Sequence, residues 1–221
     1  MPNFDFPILY SFRRCPFAMR ARFILRETKT FVELREIKLQ DKPSKFLETS
    51  KKGTVPVLVL PNKIILDESL KIIYWCLKKN NKSSLNPFDD DETKKIAKII
   101  NFLDNMFKHN LDRYKYPTRY KISSEKKFRN RNIVFLNKLN TLLKNNCYLF
   151  SDSISYIDYI IFPFIRQFRN VDIRWFNSLN FTFLNIWYSK IEESKQFCNI
   201  MKKYKIWTNE NEPIFTDFNY N

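Results

Sequence analysis

Residues 6–22 read FPILYSFRRCPFAMRAR, and the join inside this stretch decides the fold. The run 6–12 is apolar and aromatic, which fits a buried strand. Pro16 then opens a helix, because proline lacks an N–H that would be unpaired at the first helical position anyway. Phe17, Ala21, Ile24 and Leu25 fall on one face of that helix. Cys15 therefore stands between a strand end and a helix start. First-turn N–H groups are free to donate there, and the helix end is positive. Arg13, Arg14 and Arg20 add cationic charge. A cysteine so placed commonly ionises at about 3.5–7.5 rather than about 8.5. Its basic, helix-opening context is wrong for an inert core thiol, the reading given to Cys76, Cys147 and Cys198. The second position of a Cys-x-x-Cys pair is Ala18, so no disulfide can close inside this motif. A reaction at Cys15 needs an external thiol to resolve it.

Working outward, residues 32–39 (VELREIKL) alternate as a half-buried strand, and Pro43 opens a short helix over 43–49. The runs VPVLVL (55–60) and IILD (64–67), joined through Asn62-Lys63, predict a hairpin. A helix over 68–79 follows. The order β-α-β-α-β-β-α is the thioredoxin-like arrangement, an α/β unit with a mixed sheet. Two places in it suit a ligand. A cis bond before Pro56 would leave the Val55 N–H and C=O facing outward, where an extended peptide pairs as an added strand. Ser69 at a helix N-terminus suits a carboxylate, and Glu68 beside it suits an ammonium group. Together they match the two charges of a γ-glutamyl end.

Residues 80–91 are polar and turn-rich, and beyond them the periodicity becomes helical. Ile96, Ile99, Ile100, Leu103, Met106 and Phe107 mark one long helix; Phe128, Ile133, Leu136, Leu139, Leu142 and Leu143 mark a second. Three more are predicted over 155–169, 181–190 and 192–205. The division is a thioredoxin-like domain over 1–80, a linker over 81–90 and an all-helical bundle over 91–221. Ser155 and Asp158 form a capping box, with Ile154 and Tyr159 as its hydrophobic staple.

The net charge of +16 divides evenly: 16 basic and 8 acidic residues over 1–80, 23 and 15 over 81–221. No basic tail stands out. With a single glycine and 23 asparagines, this is the bias of AT-rich coding, and it reads as a diffuse basic surface rather than a nucleic-acid footprint. Residues 113–131, with eight basic residues against Glu125, read as a solvated loop. No apolar run of about 18 residues exists to span a membrane. The N-terminus reads as mature protein rather than a signal peptide. Four scattered cysteines and a lone His109 offer no metal set and no disulfide framework, which points to the cytoplasm.

These pieces, in this order and spacing, resemble the glutathione transferase superfamily, most closely its omega class and related bacterial cysteine-type members. The motifs are Cys15-Pro16-Phe17-Ala18, Asp41-Lys42-Pro43, Val55-Pro56, Glu68-Ser69, and Ser153 to Tyr159 followed by Ile161-Phe162-Pro163. The resemblance implies Cys15 as the nucleophile that forms a mixed disulfide with glutathione, the co-substrate. It implies a glutathione site of Phe17, Leu39, Lys42, Val55, Pro56, Glu68 and Ser69. Arg113, Tyr114, Tyr116, Arg119 and Trp187 become candidate liners of a second-substrate pocket for a small electrophile or disulfide acceptor. A homodimer is implied in the same way. Two departures stand out: Ser151-Asp152 replaces the usual glycine before the capping box, and the chain ends soon after Trp207. The competing reading is a non-catalytic binding protein on the same fold, attached to the transcription or translation machinery; such proteins generally lack the cysteine motif. Membrane insertion, known among the chloride intracellular channel relatives, is opposed by Arg20, Arg22 and Arg26 on the first helix.

Overall fold

The computed structural model describes residues 6–80 and 83–220. They fall into two compact units, one of Met1–Lys82 with Glu193–Asn221, the other of Ser83–Glu192.

The first unit runs β1 (Ile8–Ser11), α1 (Pro16–Glu27), β2 (Val32–Glu36), α2 (Ser44–Thr49), β3 (Val57–Val59), β4 (Ile65–Leu66) and α3 (Ser69–Asn80). This is the order expected from the sequence. The sheet is mixed: β1 pairs parallel with β2 (Ile8 opposite Glu33) and antiparallel with β3 (Ile8 opposite Val59), and β3 turns back into β4. Lys63 takes the left-handed conformation (φ 65°) that this tight hairpin requires. Helix α1 has Pro16 in its first turn and buries Ala18, Ala21, Phe23, Ile24 and Leu25. It stops at Thr28, and Lys29 (φ 49°) turns the chain back toward β2.

The far end of the chain departs from the expected division. Residues 193–221 belong to the first unit rather than to the helical one. Helix α10 (Lys195–Ile200) packs on α1, with Phe197 stacked on Phe23 at 6.4 Å, and β5 (Ile214–Thr216) adds a fifth strand along β2. The helix predicted over 192–205 is therefore only six residues long. Its last turn gives way to a strap in which the Trp207 N–H donates to the Glu36 carbonyl at 2.7 Å. This strap explains why β2 is buried along its whole length instead of on alternate residues. Arg35 donates to Glu33 (2.6 Å) and to the Tyr10 hydroxyl (2.7 Å), and its guanidinium lies 4.5 Å from the Trp207 ring. A buried ion pair is tolerable when its remaining donors are used in this way.

The second unit is helical. Of the expected linker, residues 81 and 82 lie outside the described residues, and the helical part begins one residue early. Its elements are α4 (Asp90–Phe102), α5 (Lys108–Lys115), α6 (Glu125–Leu142), α7 (Tyr156–Arg169), α8 (Ile173–Asn177) and α9 (Thr182–Glu192). The single long helix expected over 96–107 is interrupted by a π-helical turn at Leu103–Phe107. That turn shifts the phase, so Leu103 and Phe107 are buried while Met106, expected on the core face, is exposed. Buried Asn132 donates to the Phe107 carbonyl at the end of the turn (3.1 Å).

Asp158 is the polar centre of this unit. It forms the predicted capping box with Ser155 and accepts from the Ser155 N–H (2.9 Å), the Ser155 hydroxyl (2.9 Å), the Leu149 N–H (2.8 Å) and the Trp187 indole N–H (2.8 Å). One carboxylate thus ties the start of α7 to the preceding loop and to α9. Burial pushes its pKa up to about 6, against the pull of these donors. Asp158→Ala orphans several buried donors and is expected to destabilise the protein by about 3 kcal/mol or more in urea unfolding. The raised pKa fixes the sign of the pH effect: the unfolded chain gives up this proton first. Asp158 therefore contributes most below about pH 4, and that contribution shrinks as pH rises toward about 6. The difference in stability between wild type and Asp158→Asn, measured across this window, should carry that slope.

Candidate functional site

The β1–α1 turn presents Cys15 as the N-cap of α1, in extended conformation, with its N–H bonded to the Phe12 carbonyl (3.0 Å) and its carbonyl starting the helical ladder at Met19 (2.8 Å). The sulfur is half-buried against an apolar cluster that includes Ala18, Val55, Val57 and Trp207. The Val55–Pro56 peptide is cis, and the Cys15 thiol reaches the Val55 carbonyl at 3.6 Å. Strand β3 pairs with β1 only from Val57 onward, so Val55 lies ahead of the ladder and beside the sulfur. The structure thus brings together the first two clues of the sequence, Cys15 and Val55-Pro56.

The cations around this turn are distributed differently from the expectation. Arg14 is exposed and stacks over Phe12 at 5.6 Å. Arg20, expected to support the sulfur, instead donates from Nε to the Ser69 hydroxyl (2.9 Å) and lies over Phe17 at 4.9 Å. Both Arg20 and Ser69 are buried. A cation that acts on Cys15 is Arg22, buried and within electrostatic reach of the sulfur. The helical period could have revealed it. Seven residues make almost two full turns, so Arg22 lies on the side of α1 that Cys15 opens, and helix side chains lean toward the N-terminus. Arg20, five residues on, is turned well away.

Arg22 donates to the Ser11 hydroxyl (2.7 Å) and to the Arg13 carbonyl (2.6 Å). The other side of the same residue is also held, since the Arg13 N–H donates to the Glu36 carboxylate (2.5 Å). Burial pushes the Arg22 guanidinium below its ordinary range, while Glu36 and then Cys15 draw it back up. Burial likewise pushes the Glu36 carboxyl up, and Arg22 opposes that.

At the start of α3, Glu68 is half-exposed and pairs with Lys52, whose ammonium also lies 3.4 Å from Asp67. Asp67 is held below the usual carboxylate range chiefly by its bond from Lys71 (3.0 Å). These two carboxylates make a place for an ammonium group, a few residues from the buried Ser69–Arg20 contact that suits an anion. Lys42 is half-buried, with Nζ 3.4 Å from where a Cβ on Gly53 would lie. Gly53, the only glycine of the chain, adopts φ 58°, a conformation side chains resist. Leu39 is exposed on the same loop.

In the helical unit the expected second-substrate residues separate. Arg113 and Arg119 both approach the Tyr120 ring (4.7 and 5.7 Å), and Tyr116 is exposed at the end of α5. Tyr114 is buried against Phe168, with ring centroids 5.5 Å apart. Trp187 is a correction: it is 1% exposed and its indole N–H is committed to Asp158, which makes it a core residue. A second correction concerns the spare thiols. Cys76 is buried as expected, but Cys147 and Cys198 are exposed. Among the described residues no His, Cys, Asp and Glu cluster could hold a metal ion, and no helix is long and apolar enough to cross a membrane.

A mixed thioredoxin-like sheet with a helix-capping cysteine beside a cis-proline, and a separate all-helical unit, define a recognisable class of two-part proteins. Residues 9–84 match the family model for the glutathione S-transferase N-terminal domain, and residues 105–203 the model for its C-terminal domain. The chain belongs to the glutathione transferase superfamily. Among solved structures it is similar to a glutathione S-transferase from Rhodospirillum rubrum F11 (TM-score 0.73, 18% identity, 94% of this chain and 96% of that one). It is also similar to glutathione transferase Omega 2C from Trametes versicolor (0.70, 19%, 90% and 94%). A third is a glutathione transferase from Phanerochaete chrysosporium in complex with oxidised glutathione (0.75, 16%, 88% and 94%). At these identities the likeness is one of fold.

The four thiols should separate in a simple experiment. Burial pushes Cys76 up to about 12. Alkylation of the native protein near neutral pH, followed by peptide mapping, should label Cys15, Cys147 and Cys198 and leave Cys76 unmodified until the chain is denatured. Labelling of Cys76 at the rate of the exposed thiols would contradict its burial.

Proposed function

We propose that this chain is a glutathione-dependent thiol transferase of the omega type, with Cys15 as its nucleophile. The observation that carries the reading is the placing of the Cys15 sulfur at the N-terminus of α1, 3.6 Å from the Val55 carbonyl. A tripeptide thiol whose cysteinyl backbone pairs with Val55 would bring its own sulfur to Cys15. Phe17, Leu39, Lys42 and Pro56 surround that position in this reading. The charges at the α3 end suit the γ-glutamyl group, with Glu68 taking its ammonium and Ser69, backed by Arg20, its carboxylate. Lys52 already occupies the ammonium place, which supports its preference for a cation.

The reaction follows from thiol–disulfide exchange. The Cys15 thiolate attacks the glutathione sulfur of a mixed disulfide, forming the Cys15–glutathione disulfide and releasing the acceptor as a thiolate that takes up a proton. A second glutathione thiolate attacks the glutathione sulfur of that intermediate. Oxidised glutathione leaves and Cys15 returns as thiolate. No second cysteine is needed, consistent with Ala18 at the place where one would stand. The second substrate is a small disulfide or electrophile, with Arg113, Tyr114, Tyr116 and Arg119 as its candidate neighbours. A homodimer and a cytoplasmic location complete the reading. A purely binding role leaves the placement of Cys15 unexplained.

Cys15→Ala should lower turnover of a glutathionylated peptide by on the order of a thousandfold or more while leaving the circular dichroism and melting curve unchanged. Intact-mass analysis of the wild type after incubation with oxidised glutathione should show an adduct that peptide mapping places on Cys15. Full turnover by Cys15→Ala would overturn the assignment.

A further inference from the structure

The β1–α1 turn holds a feature that a nucleophile, a helix end and a proline do not account for. Residue Arg13 is gripped from both sides by buried, oppositely charged side chains. Arg22 of α1 donates to its carbonyl and also to Ser11, the last residue of β1. Glu36, the last residue of β2, accepts from its N–H. Both gripping side chains are buried, Arg22 to 2% exposure and Glu36 to 6%. The Arg22 Nε–H has no hydrogen-bond partner among the described residues. Burying a guanidinium and a carboxyl for a turn that a serine or asparagine could brace is costly, so the charges call for a further explanation.

We propose that Arg22 and Glu36 are a pair of positioning residues of opposite effect, which fix the turn that presents Cys15 and between them set the electrostatic field at its sulfur. Arg22 favours the thiolate and Glu36 restrains it. This rests on the reading of Cys15 as the nucleophile for its purpose, though not for its measurement. The other ionisable groups about the sulfur and this pair are few. Arg13 and Arg14 come from the turn itself, with Arg13 reaching the Met201 carbonyl at 3.5 Å. On α1, Arg20 is turned to Ser69. On β2, Arg35 is neutralised by Glu33 and bonded to Tyr10. From the C-terminal strap comes the Tyr204 phenol, which burial pushes up and so keeps uncharged. The Val55 loop meets the sulfur with an uncharged carbonyl, and Lys42 lies over Gly53 beyond it. Arg22 is buried and acts on the sulfur across the turn it grips, where screening by water is weakest.

A brace and a tuning pair predict different things. If the two side chains only hold the turn, Arg22→Met and Glu36→Gln both loosen it and change Cys15 in the same direction. If they tune it, the two changes are opposite in sign. The test is the rate of Cys15 alkylation by iodoacetamide against pH in the full-length protein, followed on the Cys15 peptide by mass spectrometry, with no glutathione present. Arg22→Met should move the midpoint up by about one pH unit, Glu36→Gln should move it down by a smaller amount, and Arg22→Lys should fall between wild type and Arg22→Met. Should Arg22→Met fail to fold, the isosteric Glu36→Gln decides alone: a midpoint at or above the wild-type value overturns the proposal. Shifts of the same sign for both variants, or no shift for either, also overturn it. Because the titration needs no glutathione, failure of the thiol-transferase reading would show separately, as turnover that survives Cys15→Ala.

Discussion

The β1–α1 turn is the constraint on which the site depends. A cysteine at a helix N-terminus has little value unless the turn before it is rigid, because the helix end acts on charge only within its first turn. Here the turn is closed by the bond from the Cys15 N–H to the Phe12 carbonyl and is held at Arg13 by side chains from two other elements. Pro16 fixes the first helical φ, and the Cys15 carbonyl begins the helical ladder at Met19. The position of the turn that carries the sulfur is thus set by groups on β1, α1 and β2, not by the loop residues alone.

That arrangement in turn requires the C-terminal strap. Glu36 ends β2, and its carbonyl accepts from the Trp207 N–H; Trp207 covers Arg35 and Tyr10 on the face behind it. Strand β5 pairs with the outer edge of β2 and removes an exposed edge that would invite mispairing. Helix α10 packs on α1 through Phe197. The last thirty or so residues act as a clasp on the first domain that removes β2 from water, and the buried charges of β2 are tolerable because hydrogen bonds and opposite charges offset that loss of hydration. Glu33 is paired within β2 by Arg35, whereas Glu36 meets Arg22 from α1.

Much of this was legible in the residues. Pro16 after an apolar strand, the paired runs about Asn62-Lys63, and the Ser155/Asp158 box each carry a local signal that no tertiary context reverses. The misses share a physical reason. Strand β5 is three residues in a polar tail and exists only because β2 offers an edge. The 192–205 periodicity continued past Met201, but the strap's bond to Glu36 outweighed helix propensity there. Met106 fits the apolar period until a π-helical turn shifts the phase, a change that leaves no mark on composition. The resemblance offers Trp187 as a pocket liner, but its indole N–H is bonded to the buried Asp158, a long-range contact that no local spacing reports. Residue type alone suggests core thiols at Cys147 and Cys198, and type does not report exposure.

Arg20 and Arg22 show most clearly what spacing can and cannot decide. Both are basic, both lie on α1 and both are buried, so composition assigns them the same task. The helical period separates them: one turns to the start of α3 and bonds Ser69, the other turns back along Cys15 and bonds the Arg13 carbonyl. Each arginine ends where a negative charge belongs in the proposed chemistry, one near the carboxylate of a γ-glutamyl group and one near a thiolate. A buried guanidinium loses its hydration whether or not an anion arrives, so the protein must stabilise it in the resting state as well. Serine hydroxyls contribute at both places, Ser69 for Arg20 and Ser11 for Arg22, joined at the second by the Arg13 carbonyl and by Glu36 across space. Neutral acceptors satisfy the geometry of an arginine without cancelling its charge. At Arg22 the positive field is therefore kept available for a thiolate, where a directly bonded carboxylate would have consumed more of it.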